Sequence, residues 1–354
     1  MSTGIIGIGT ALPLNAVTQK EAAELANIVC CKTKRQARAL QKLYDRTGIA
    51  TRSAVVFETA SVPMFFPTEQ FDPHGPGTAH RMQLYSQEAP RLSRAASECA
   101  LKDAGIDAAS ITHLVTVSCT GFEAPGFDLQ LIDSLSLSRN VLRTHIGFMG
   151  CHGLLNGLRV AEAFCRDTKN VTLLCATELC SLHFQFGWNS QSIIANSLFA
   201  DGAGAAVLAD LPERKVEYVG SQSFVVPQSE TAMRWQIGDH GFKMSLSAEV
   251  PSLIEENLQH FISSWLRTFK LNISDIYGWA VHPGGPRILD AVQSSLQLQP
   301  DHLRESRAVL SQCGNMSSPT VLFILKLLLA ENNKLPCVAL GFGPGLTIEA
   351  ALFR

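Results

Sequence analysis

Cys151, His282 and Asn315 lie far apart in the chain, yet together they could carry an acyl group on sulfur and stabilise the charge that acyl chemistry creates. Cys151 stands in IGFMGCHGLLNGLRVAEAFCRD, where Gly147, Gly150 and Gly153 allow a tight strand-to-helix junction. The residues after it put Leu154, Leu158, Ala161 and Cys165 on one apolar side, the pattern of a packed helix. A helix N-terminus offers unpaired N–H groups and positive potential, which favour a thiolate and a developing oxyanion. Local sequence reads equally well as a cysteine that merely fills a tight junction. Cys119, in VSCTGF, is a second possible nucleophile, though no amphipathic helix begins directly after it; Cys175 and Cys180 are core residues or pocket lining.

WAVHPGGPRIL sets His282 after an apolar strand and before a Pro-Gly-Gly turn, and LSQCGNMSSPTVLFILKLLL sets Asn315 in a polar turn before an apolar helix. Both are positions at which a buried scaffold can hold a rigid polar group. A histidine can take the cysteine proton and then donate a hydrogen bond; an asparagine amide can donate a second one without titrating. Cys, His and Asn also serve peptide hydrolysis, so the residue types alone leave the reaction open.

The elements around these residues alternate short apolar runs with amphipathic stretches, as in an α/β protein with helices packed on buried sheets. Strands are expected at Ile5–Ile8, His113–Val117, Val171–Cys175, Ala205–Leu208, Ile276–Val281 and Cys337–Leu340, and helices at Ser93–Ala104 and Val250–Phe269. Ile111–Cys119 and Ile273–His282 share a rhythm: polar approach, apolar strand, reactive side chain. Two related halves are therefore expected, 1–212 carrying the cysteine and 213–354 carrying the histidine and asparagine, with a surface excursion at 71–79. The 354 residues, 46% of them hydrophobic, suffice for such a core, and a net charge of -2 gives no electrostatic case for a nucleic-acid partner. No apolar run is long enough for an integral membrane contact, and the opening lacks a basic segment before its apolar stretch, so a cytoplasmic location is expected. The 10 cysteines fall mostly in apolar segments and have neither disulfide-framework nor zinc-site spacing, so no metal is expected.

GFMGCHG, SLFADGAGAAV, HPGGPRILDAV, GNMSSPTVLFIL and GFGPGLTIE together resemble the type III polyketide synthases, the chalcone and stilbene synthase family. The resemblance implies a thiolase-like five-layered αβαβα fold made of two duplicated halves, in an intimate homodimer. It implies acyl-CoA and malonyl-CoA as substrates, with no metal or redox cofactor. On it, Cys151 is the attachment nucleophile, His282 and Asn315 the decarboxylation and oxyanion pair, and Phe199 the aromatic gatekeeper between tunnel and reaction cavity.

Departures from the plant pattern bear on the product. GCFAGG becomes GCHGLL here, so His152 and Leu154–Leu155 alter the surroundings of Cys151; the methionine that crosses the dimer in MPG becomes Ala124. Cys180 and His183 stand for two cavity threonines, while Gly241 and Ser317 keep small cavity-wall residues. Such changes look more like a bacterial member, making a pyrone, resorcinol, phloroglucinol or chalcone-type product. Lys42, Arg46 and Arg52 occupy the family's general nucleotide-binding region, a solvated helix face accounting for them nearly as well, and GFGPG reads as a cavity wall. A carrier-protein-dependent ketoacyl synthase and a noncatalytic thiolase-like scaffold are the alternatives.

Overall fold

The central strands are buried on both faces, and successive residues along them fall alternately into different hydrophobic clusters, which define the layers. The computed structural model describes residues 3–57, 74–212, 214–330 and 334–354. Its strands are β1 (Gly4–Ala11), β2 (Ala16–Thr18), β3 (Thr51–Ser53), β4 (His113–Ser118), β5 (Leu142–Gly147), β6 (Val171–Leu179), β7 (Asp201–Ala209), β8 (Val216–Val225), β9 (Met233–Gly238), β10 (Gly241–Leu246), β11 (Gly278–Val281), β12 (Cys337–Gly343) and β13 (Thr347–Phe353). Its helices are α1 (Gln19–Cys30), α2 (Lys34–Asp45), α3 (Thr78–Ala104), α4 (Phe127–Ser134), α5 (Gly153–Cys165), α6 (Ser190–Leu198), α7 (Val250–Thr268), α8 (Pro286–Leu296), α9 (Arg304–Cys313) and α10 (Thr320–Ala330).

Nine strands form one sheet in the order β11-β12-β13-β8-β1-β7-β6-β4-β5, and the order repeats within itself. In the first half β1 pairs antiparallel with β7, β7 antiparallel with β6, and β6 parallel with β4. In the second, β8 pairs antiparallel with β13, β13 antiparallel with β12, and β12 parallel with β11. Within the sheet the halves join at β1 and β8, where Gly4 and Ile5 pair with Glu217 and Val216. One cluster packs α5 and α10 between the inner faces, through Leu154, Leu158, Leu322 and Leu325 against Val115, Leu174, Ala280 and Ala339. Ala96 and Leu92 of α3 cover the outer face of the first half, and Ile254 and Leu258 of α7 with Leu289 of α8 cover that of the second. Counting the two halves of the sheet as separate layers, the order is helix, sheet, helix, sheet, helix, five in all.

The helix expected at Ser93–Ala104 begins 15 residues earlier, at Thr78. Pro90 lies inside it, where the missing N–H ordinarily ends a helix; Pro90 and its neighbour Ala89 are both buried there. The apolar strand Cys337–Leu340 also runs on, so Gly341 to Gly343 of GFGPG belong to β12. Of the excursion expected at 71–79, residues 71–73 lie outside the described residues, and Thr78 already starts α3.

Candidate active site

Cys151 sits in a short 3₁₀ turn, Gly150–His152, immediately before α5. The backbone reaches it through left-handed Phe148 (φ 60) and Gly150 (φ 71), and a Cβ on Gly150 would stand 2.5 Å from Pro344 Cδ. Glycine is required there on both counts. Burial pushes the Cys151 thiol up to about 12, with the Glu178 carboxylate adding to the rise. The Ser317 hydroxyl and the cysteine's own N–H act the other way, as a helix start should, but burial outweighs them. Burial thus keeps the resting sulfur a thiol, and a base such as the expected histidine is needed to take its proton.

Ser317 Oγ donates to Cys151 Sγ at 3.5 Å and lies 3.6 Å from Cys119 Sγ. Asn315 Oδ1 accepts the Ser317 N–H at 2.8 Å, which turns its Nδ2 toward the segment after His282, 3.5 Å from the Gly284 carbonyl. With the amide oxygen committed, the donor side is left for another acceptor. His282 is 1% exposed, and neither ring nitrogen has a hydrogen-bond partner among the described residues. Its N–H donates to Leu340 O at 2.8 Å, continuing the β11–β12 ladder by one step. It thus shares the face of Ala280, which packs into the cluster containing α5. Burial, with a smaller contribution from His152, takes its imidazole down to about 3, so the resting pair is neutral thiol and neutral imidazole.

Two apolar chambers meet beside the sulfur. The inner one is lined by Cys119, Thr120, Gly150, Cys151, Cys180, Phe199, Met233, Trp235, Met244, Ser317 and Pro344. The outer one shares Cys180, Phe199, Trp235 and Met244 with it and extends past Val56, Phe57, His183 and Phe242. Phe199 therefore borders both spaces.

The other residues singled out from sequence divide. Cys180 lines both chambers. His183 lines the outer one, but its Nε2 faces the Thr120 carbonyl at 2.6 Å and its Nδ1 accepts the Phe242 N–H at 3.0 Å, so it braces the wall. Gly241 is not on either wall. It sits at φ +87, where a Cβ would meet the Arg81 guanidinium at 2.9 Å. Ala124 is exposed and likewise borders neither chamber. Arg52 separates from exposed Lys42 and Arg46: it is buried, donates from Nη1 to the carbonyls of Asn196 (2.6 Å) and Phe199 (2.9 Å), and lies over Tyr44. Sequence reasoning missed Glu178, whose carboxylate accepts from Cys119 N (2.9 Å), Thr120 Oγ1 (2.7 Å) and Ser318 Oγ (2.6 Å). A lone acid at the end of the apolar run VTLLCATEL was the available signal.

Residues 2–212 match the family model described as chalcone and stilbene synthases, N-terminal domain, and residues 216–354 match its C-terminal domain. The chain belongs to the chalcone and stilbene synthase family. Within this family it is 32% identical to type III polyketide synthase C of Arabidopsis thaliana, over 99% of this chain and 94% of that one. It is 31% identical to a putative chalcone synthase of Bacillus subtilis, over 99% and 98%. Polyketide synthase 37 of Dictyostelium discoideum is 34% identical over 77% of this chain, which spans only 10% of that much longer protein. Among solved structures, PKS-I of the brown alga Ectocarpus siliculosus superposes with a TM-score of 0.90 at 30% identity, covering 100% of this chain and 98% of that one. The C-terminal type III domain of Steely1 from Dictyostelium gives 0.91 at 26% identity, covering 100% and 99%. This member of the chalcone and stilbene synthase family is thus a type III polyketide synthase, an acyl-transferring condensing enzyme. Among its described residues no helix is long and apolar enough to cross a membrane.

Proposed function

We propose that Cys151 is the acyl carrier, His282 its base and enolate donor, and Asn315 the second donor. The observation that carries this is the bare imidazole of His282. A buried polar group without a partner costs about 1–3 kcal/mol, and such groups persist where function needs them. Neutral His282 takes the Cys151 proton as the sulfur attacks an acyl-CoA carbonyl, and the coenzyme A thiol leaves with that proton. Malonyl-CoA then loses carbon dioxide, and the enolate oxygen accepts hydrogen bonds from His282 and Asn315 Nδ2. The enolate carbon displaces Cys151 from its thioester, giving a β-ketoacyl-CoA and a free sulfur for the next round. Cyclisation to a pyrone, resorcinol, phloroglucinol or chalcone-type product ends the sequence.

The apolar chambers favour an acyl or aromatic starter, with Phe199 shaping the passage between them. Exposed Phe122, Leu129, Leu142 and Met149 supply an apolar surface for a homodimer, with Ala124 beside it. The halves divide at 212/213, in the link between β7 and β8. Ten free cysteines suit the reducing cytoplasm, and the bacterial reading rests on the departures around Cys151.

The test is intact mass of the purified protein after acetyl-, long acyl- or p-coumaroyl-CoA, without carrier protein, followed by product analysis with malonyl-CoA. An adduct that disappears in Cys151→Ala supports the reading; an undiminished adduct in that variant overturns it.

A further inference from the structure

The residue after Cys151 heads a hydrogen-bonded chain that the condensation cycle leaves unused. His152 is 2% exposed and lies over a bed of glycine: a Cβ at Gly341 would stand 3.0 Å from His152 Cβ, and one at Gly343 2.1 Å from its Cδ2. One helical turn on, Asn156 Oδ1 meets His152 Nδ1 at 2.8 Å, while Asn156 Nδ2 donates to Glu349 Oε1 at 3.0 Å. The other Glu349 oxygen pairs with Arg159, whose Nε donates to Ser221 Oγ at 3.0 Å. A carboxylate held by arginine only accepts, so the Asn156 amide must turn its nitrogen to Glu349 and its oxygen to the imidazole. His152 Nδ1 therefore carries the hydrogen, and one tautomer is fixed.

His282 extends the ladder opposite Gly341, on the face that His152 covers. Two imidazoles thus flank one glycine. We propose that His152 is a positioning residue for His282, held by Asn156 and Glu349 so that it governs the pH range over which His282 can take the Cys151 proton. The groups acting on His152 are Asn156, Glu349 and Arg159; the charged group acting on His282 is His152. Burial holds His152 below the ordinary histidine value, with Asn156 and Glu349 opposing the fall, and once protonated His152 disfavours a second proton on His282. The base stays available further into acid than it would alone.

This inference rests on the proposed roles of Cys151 and His282, and the experiment separates the two. The initial rate of acyl loading onto Cys151 is followed by intact mass across pH in the full-length protein, His152→Phe and Asn156→Leu. Phenylalanine is the residue of the related GCFAGG motif and suits the same glycine bed. The acid limb of His152→Phe is expected to move up by ~0.5–1 pH unit, and that of Asn156→Leu in the same direction by less. If His152→Phe does not fold, the Asn156→Leu shift decides alone. An unmoved limb, or a fall in rate equal at every pH, overturns the inference while leaving the acyl carrier intact; no adduct on the unmutated protein overturns both.

Discussion

Strands β4 and β11 hold equivalent places in the two halves, yet their C-terminal ends are finished in opposite ways. After β4, the Cys119 N–H and the Thr120 hydroxyl converge on Glu178, whose other oxygen takes Ser318 from the second half. After β11, His282 is equally buried and its ring touches no hydrogen-bonding partner among the described residues. One end is saturated and the other left bare. The two halves thus present the same strand end in two forms, one braced and one with its polar ring unengaged. Satisfied polar networks rigidify, and unsatisfied ones keep donors in reserve for charge that appears only during reaction.

That contrast can be broken by substitution. His282→Gln should slow acyl loading by ~10²–10⁴-fold and leave the unfolding midpoint near that of the unmutated protein, read by intact-mass kinetics and urea titration side by side. A large loss of stability would mean that the ring is structural after all. Asn315→Ala should lower malonyl-CoA decarboxylation by ~10²–10³-fold, measured as carbon dioxide release. Glu178→Ala inverts the pattern, stranding donors at Cys119, Thr120 and Ser318 at a cost of about 3 kcal/mol in stability; a silent result in urea would remove the brace from the comparison. Ser317→Ala deletes one hydroxyl contact to the sulfur and should change loading by only ~5–10-fold, the worth of a single hydrogen bond.

A smaller effect concerns acid. Burial takes His183 down to about 3, with the hydrogen bond to the Thr120 carbonyl opposing the fall and the Arg81 guanidinium adding to it. Below the ordinary histidine value of about 6.5 the unfolded chain binds a proton that the folded ring refuses, so stability falls as pH drops from there toward 3. His183→Gln should make the urea midpoint less steeply dependent on pH between these values, and an unchanged slope would refute the assignment of that ring as a neutral brace.

Much of this architecture was legible because a buried strand must be apolar: β4, β6, β7 and β12 announce themselves as runs, and the repeat of β4 in β11 shows in the passages around Cys119 and His282. Cys151 was marked by its glycines, since the tight turn leaves few other residues possible. What the chain hid were couplings across long separations. Glu178 meets Ser318 across 140 positions, and Asn156 meets Glu349 across 193. Neither pairing leaves a local trace, because hydrogen-bond geometry is set by packing of whole layers. Gly241 and Arg52 went astray for the same reason: a small residue and a cation each have many uses, and only the neighbours decide which.

Arg52 carries one more implication. By gripping the carbonyls on both sides of the Ser197–Leu198 step, it anchors the main chain on which the Phe199 ring is mounted. With that main chain held, Phe199 can yield between the spaces by its ring pivoting about its own side-chain bonds, which settle in a few staggered wells. Admission of longer acyl chains should accordingly come in steps, as with a latch, and not by gradual stretching.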